Sequence, residues 1–575
     1  MRAFVKENRN RKIAVGFNRR EVISLEQLGF SHIGKKSMGL KPKFNFIQFT
    51  PSAKADGNYL KTFVADNKMV YAALNFLLLF FLTSLVNLPA QSLFNELNEN
   101  TIQPGEIVAK VGNKTITAEE FFYSYEFGPA FPKRKSDSKE THLKYLINEK
   151  LLALESYKEG LIDEEEVSSL FDDIQADLAT EEMFKEEILS KIKIDSAAVD
   201  TILYSKQMDI ELKWLYSHDE EGIKSYWLAL YNGVSFDSLF NQQINDSVFI
   251  DMRSMQTSLY SLKKNNPLLA QIVDTMKAGK YSAPIHVNNE WYIVKLENIW
   301  RNMITSESEF NKLRYESEQA FIKNNMDRES DIYVDNLLRG ENPIIKKHAF
   351  NLLRAYLGKY VLPLEQYEEW ELEKILDSAL SNLGLSKGDE YPGIEIVVTE
   401  NKSYMLDEFI TWYRNRSLYI KFDKRDLNSF SRSMENLIWL MLRDKLLTQR
   451  AKENGYFENS WVETQSKWWR DKIAYSAMRN KLANSILLEN EEVNTGSETE
   501  SSPDDLSIEL IAKMFRMIQA SKAKHNVVIN NEVLNKISVS EENDPKVVDF
   551  YSAKKGGLIP RPPYPTIDNE WVNWE

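Results

Sequence analysis

Residues 107–121 read IVAKVGNKTITAEEF, and the reading of the whole chain turns on them. Ile107–Val111 is a strand, Gly112-Asn113 a turn signal, and Thr115-Ile116 the returning strand. Thr117 with Glu120 three residues on has the form of a capping box, so a helix starts there and carries Phe121, Phe122 and Tyr125 into a core. From Lys139 a stronger helix runs to Gly160, with Leu143, Leu146, Ile147, Leu151, Leu154 and Tyr157 on one stripe and the glycine as stop. Acidic amphipathic helices continue to about residue 206.

The same pattern returns downstream. Asn113-Lys114, Glu120-Phe121 and Tyr125 recur as Asn401-Lys402, Glu408-Phe409 and Tyr413, and Glu149 to Leu152 with Gly160 recurs as Asp444 to Leu447 with Gly455. Repetition at a near-constant spacing predicts a duplicated helical module, in which Met405 replaces the capping Thr117. Between the copies, over 207–300, the period changes. Ile210–Tyr216 alternates as a strand, Glu221–Tyr231 is a helix closed by Gly233, and Val248–Met252 is a short strand. Leu268–Lys277 is a helix stopped by Gly279, and Pro284–Val287 with Trp291–Leu296 forms a hairpin. This predicts a small α+β domain, four strands with helices on one side. The pattern is helical again over 301–390.

With 575 residues, the chain has room for three or four domains. Its 43% hydrophobic and 27% charged residues, with a mean hydropathy of −0.43, exclude wholesale disorder and a polytopic membrane protein. Cysteine is absent, which removes disulfides, thiolate metal sites and cysteine nucleophiles. The six histidines show no ligand spacing and no phosphate-binding glycine motif occurs, so no metal and no cofactor is expected. His218 and His286 read as loop and strand-end residues.

The net charge of −13 conceals two unlike parts. Residues 1–68 hold 14 Lys and Arg against 5 Asp and Glu, whereas residues 91–575 hold 58 against 80. An acidic body repels phosphates and argues against a nucleic-acid partner. Between these parts, residues 69–88 read MVYAALNFLLLFFLTSLVNL, with Lys61 and Lys68 before them and Pro-Ala-Gln-Ser after. A short apolar core behind positive charge, ending in small residues, has the form of a secretory signal over 69–90. A membrane anchor is the alternative, since about 20 residues span a bilayer. Residues 1–68 sit awkwardly before a signal, which suggests that Met69 is the true initiator.

Towards the end, the second module spans 391–488, and residues 489–505, with seven acidic side chains and no basic one, read as a solvated linker. A closing helix and strand follow over 506–540. Residues 541–575 contain five prolines, including Arg561-Pro-Pro-Tyr-Pro565, and predict an extended or mobile tail. Trp461, Trp468 and Trp469 share a helical face, either as core or as an aromatic groove for a bound segment.

These residues resemble the exported parvulin-type foldases SurA, PpiD and PrsA. The order is similar: signal or anchor, a SurA-N-like ribbon-and-helix module (103–206), a parvulin-like domain, and a returning helix. Gly233-Val-Ser-Phe236 with Leu239, Met276 to Pro284, and Trp291 to Leu296 look like the family's G-x-x-F-x-x-L, L-K-x-G-E-I-S-x-P and G-Y-H-I-I-K-L. The family's two histidines fall on Lys213 and Tyr292, and its preceding glycine on Glu290. The resemblance implies a mainly helical α+β fold, with SurA-N-like modules around a four-stranded parvulin-like domain. It implies an ATP-independent chaperone for unfolded or nascent envelope proteins, periplasmic or anchored in the inner membrane. No residue is then expected to be catalytic, and Phe236, Trp291 and Trp468 are the expected substrate contacts. An active prolyl isomerase and a structural component of an envelope assembly are the alternatives.

Overall fold

A computed structural model describes residues 90–99, 101–244, 248–287, 290–386, 393–493, 503–541, 543 and 557–574. The basic extension (1–68), the apolar segment (69–88), and 494–502 of the expected linker lie outside the described residues. Among the described residues no helix is long and apolar enough to cross a membrane. The chain forms two compact units, one from residues up to Glu186 and from Asp331 onwards, the other from Glu187 to Ser330. Among the described residues the fold is mainly helical α+β, with three small antiparallel sheets.

In the first unit, helix α1 (Ala90–Asn98) precedes strands β1 (Ile107–Val111) and β2 (Lys114–Thr117). Helices α2 (Ala118–Glu126), α3 (Ser138–Lys158) and α4 (Glu165–Glu187) follow. Thr117 caps α2 by accepting from the Glu120 amide at 3.2 Å. The expected capping box is only half formed, because the Glu120 carboxylate turns inward to Lys150 at 2.5 Å. Phe121, Phe122 and Tyr125 are buried.

The second module repeats this order. Strands β8 (Glu395–Val398) and β9 (Ser403–Met405) lead to helices α13 (Leu406–Arg414), α14 (Leu427–Glu453) and α15 (Ser460–Val493). Gly160 and Gly455 stop corresponding helices at φ of 72° and 77°, a conformation glycine reaches without Cβ strain. Met405 has no capping hydroxyl. Instead its amide donates to the Glu408 carboxylate at 3.0 Å, the other half of a capping box.

Each sheet is completed from far away in the chain. Helix α10 (Glu307–Glu341) leads into β7 (Ile344–Ile345), which pairs with β8. Helix α16 (Pro503–Lys522) leads into β10 (Val527–Ile529), which pairs with β1. The segment after the first module thus closes the second, and the segment after the second closes the first. Strand β7 interrupts what periodicity reads as continuous helix over 301–390. Helices α15 and α16 also extend into both ends of the expected 489–505 linker.

The C-terminal segment departs most from expectation. Leu558, Ile559, Arg561, Tyr564, Ile567, Asp568 and Trp571 are all buried, so 557–574 is packed into the first unit rather than mobile, while 544–556 of the expected tail lie outside the described residues. Its charged and aromatic side chains find partners that no nearby sequence signals, beginning with an Arg561–Asp177 ion pair at 2.7 Å.

The second unit is built on a four-stranded sheet of order β4-β3-β6-β5: β3 is Met208–Ser217, β4 Ser254–Ser258, β5 Ile285–Val287 and β6 Glu290–Arg301. The expected strand at Val248–Met252 is instead a 3-10 turn at Ile250–Met252 that precedes β4. Helices cover both faces of the sheet, not one. On one face Ile210, Leu212, Val294 and Leu296 pack with Leu262, Ala270 and Val273, from helices at Leu259–Asn265 and Pro267–Asp274. On the other, Leu215 and Ile293 pack with helices at Glu220–Tyr231 and Phe236–Gln243. Successive strand residues point to opposite faces, and both faces of the two central strands carry apolar residues, so both must be covered.

Candidate functional site

The cross-strand register decides which expected site residues can meet. Lys213 pairs with Lys295, Leu215 with Ile293, and Tyr216 with Tyr292. Directly opposed residues share a face, so Lys213 lies on the face of Leu215 and Ile293, while Tyr292 lies on the other. The two positions that the resemblance gives to paired histidines therefore do not line one pocket.

On the Tyr292 face, the Tyr292 hydroxyl donates to Glu290 Oε2 at 2.6 Å and the Tyr216 hydroxyl donates to Glu290 Oε1 at 3.0 Å. The two rings lie 5.6 Å apart, and the Arg253 guanidinium sits 4.5 Å from the Tyr216 ring centre. The Tyr292 hydrogen bond holds the Glu290 carboxyl below its usual range, and burial together with Glu290 pushes the Tyr292 hydroxyl up. The carboxylate stays ionised and both phenols stay protonated through neutral pH. The cluster is a hydrogen-bonded clamp with no acid–base pair poised near pH 7. Tyr216, Glu290 and Arg253 escape a reading that looks only for histidines; the signal for Tyr216 is its period-2 position after Trp214.

On the opposite face, Lys295 pairs with Asp237 at 2.9 Å and Glu297 at 2.8 Å, and Lys213 with Glu297 at 3.6 Å. A shared carboxylate allows two lysines to stand opposite one another. Beneath them Phe236 and Phe240 are buried. Ser235 caps the helix by accepting from the Ser238 amide at 3.1 Å, which aims Phe236, Leu239 and Phe240 at the sheet. Phe236, expected to contact substrate, is a core residue. Trp291, also expected there, is partly buried on this face, with its ring 4.6 Å from that of His286. The accessible apolar surface lies alongside: Trp227, Leu228 and Tyr231 on one side of the Glu220–Tyr231 helix, then Val234, are 36%, 59%, 83% and 40% exposed. Tyr281 extends the row, with its ring 6.2 Å from Trp227.

Trp468, the third expected contact, belongs to the first unit. It is buried, with Trp461 at 5.6 Å and Tyr123 at 6.4 Å, so it contributes to a core cluster. Near this cluster burial pushes the Glu119 carboxyl up from 4.5 to about 7. Because the folded-state value is raised, the full stability is present below about pH 4.5 and is lost as pH rises to about 7. Glu119→Gln is expected to stabilise the first unit at pH 8 by about 1–2 kcal/mol, with the difference vanishing near pH 4.5. Urea midpoints across this range check it, and a difference constant with pH would refute it.

No family model matches the chain, and no curated protein matches it. Among solved structures, the peptidylprolyl isomerase PrsA from Bacillus anthracis aligns at 15% identity over 37% of this chain and 73% of its own, with a TM-score of 0.18. PrsA from Bacillus subtilis aligns at 16% identity over 39% of this chain and 91% of its own, with a TM-score of 0.14. This is a weak structural similarity to parvulin-type isomerases.

Proposed function

We propose that the chain is an exported, ATP-independent chaperone that holds extended apolar segments of unfolded envelope proteins, and that its small sheet domain is not an efficient prolyl isomerase. The observation that carries this reading is the row Trp227, Leu228, Tyr231, Val234 and Tyr281, large apolar side chains left in water beside a charged rim. Such a row offers many weak contacts and no deep pocket, which suits transient holding and release without nucleotide. The acidic excess beyond residue 90 keeps a loaded complex soluble. Export rests on the form of the 69–90 segment. Against isomerisation stand the separation of Lys213 and Tyr292 on opposite faces and the engagement of Tyr292 by Glu290.

The test measures suppression of aggregation of an unfolded outer-membrane protein, together with isomerisation of a proline peptide. Trp227→Ser with Tyr231→Ser is expected to weaken suppression several-fold while leaving the melting temperature within a few degrees, because exposed substitutions cost about 0.5 kcal/mol or less. Unchanged suppression would remove the row from the reading. Robust turnover of the proline peptide, abolished by Tyr292→Phe, would favour an active isomerase instead.

A further inference from the structure

Two sequence features not used above meet in the first unit: the tryptophans of α15 and the Arg561-Pro-Pro-Tyr-Pro565 motif. Residues 557–566 hold no helix or strand, and the segment is fastened chiefly by side chains. Arg561 donates to Asp177 at 2.7 Å and Glu181 at 2.9 Å. Three residues on, the Tyr564 ring stacks on Tyr123 at 4.2 Å, with Trp461 at 6.4 Å. Further along, the Asp568 amide and the Trp571 indole both donate to Glu149, at 2.7 and 2.9 Å.

The walls of this groove hold one another without the segment. Lys150 of α3 pairs with Asp471 of α15 at 2.8 Å and with Glu120 of α2. Lys472 of α15 pairs with Glu149 of α3 at 2.9 Å, and Tyr157 donates to Asp471 at 2.7 Å. Between that ionic floor and Pro565-Thr566 lies a cavity of about 20 Å³, bordered by Glu120, Glu149, Lys150 and Asp471. This is room for about one water, so the segment covers the floor rather than filling it.

We propose that this groove is a peptide-binding site with the chain's own residues 557–574 as its resident ligand. It accepts in trans an extended segment carrying arginine three residues before a proline-flanked tyrosine. Asp177 and Glu181 select the arginine through a charge-assisted pair, and the Tyr123 face selects the aromatic ring. A proline-rich segment loses little conformational entropy on docking, which favours this mode of recognition. The proposal does not depend on the exposed row of the second unit, so each reading can fail alone.

The test uses the full chain with a specific protease site inserted among residues 544–556, then cut, and a fluorescent peptide of residues 557–575. The cut protein is expected to take up the peptide saturably and to release it to unlabelled peptide. Peptides with Arg561→Ala or Tyr564→Ala should bind at least tenfold more weakly, and a scrambled peptide no better than these. In the uncut chain, Arg561→Ala should raise uptake of the unaltered peptide at least tenfold, with the far-ultraviolet circular dichroism preserved. Failure of uptake in both proteins, uptake only on loss of that spectrum, or equal binding of the scrambled peptide would overturn the proposal.

Discussion

Lys150→Met is expected to lower the stability of the first unit by about 3–5 kcal/mol. The Lys150 ammonium is buried between Glu120 and Asp471, and these two carboxylates, through attraction and hydrogen bonding, hold it protonated against burial. Methionine keeps the volume and removes the charge, so the loss is electrostatic rather than a cavity. Asp471 still receives Lys114 and Tyr157, both at 2.7 Å, but Glu120 loses its ion-pair partner in a site where burial already pushes its carboxyl up. Adding Glu120→Gln is therefore expected to recover more than half of the loss, because the stranded charge is what costs most. Hydrogen exchange of α3 and α15 amides reads this unit separately. A loss below about 1 kcal/mol would refute a buried, mutually dependent triad.

Phe236→Ala carries the second large effect, about 3–4 kcal/mol in the second unit. The ring is 4% exposed, stacks with Phe240 at 6.3 Å, and lies under Lys295. Truncating it leaves a cavity between sheet and helix that the capped helix start cannot close. Exchange in β3 and β6 amides should accelerate accordingly, with α3 and α15 unaffected. A residue serving only as a surface contact would cost about 0.5 kcal/mol or less and change binding alone. That outcome would restore Phe236 as a substrate contact.

Much of the local structure was legible because its causes are local. Period-2 alternation around Ile210–Tyr216, the Thr117 hydroxyl, and the left-handed glycines at 160, 233 and 455 each act within a few residues of their own position. The recurrence of Asn113–Tyr125 at Asn401–Tyr413 likewise pointed to a repeat, and the repeated residues fall on matching elements. Three strands of the small domain were legible, but not the place of the fourth, which falls at Ser254–Ser258 rather than Val248–Met252, nor that helices cover both faces. A run such as Glu290–Arg301 does not say which neighbour will bury its second face.

What the sequence determined by itself is a set of elements and their ends: short-range hydrogen bonds, glycine conformations and apolar stripes. Tertiary structure alone decided three further things. Ile344-Ile345 and Val527–Ile529 each complete a sheet whose other strands lie far away in the chain. Lys213 and Tyr292 were assigned to opposite faces by the pairing of β3 with β6. Arg561, Tyr564 and Trp571 were drawn into the first unit by Asp177, Tyr123 and Glu149. The reason is common to all three. A strand edge, a cross-strand register and a buried charge are each satisfied by a partner chosen through shape and electrostatics in space, and nothing in the residues between the partners encodes that choice locally.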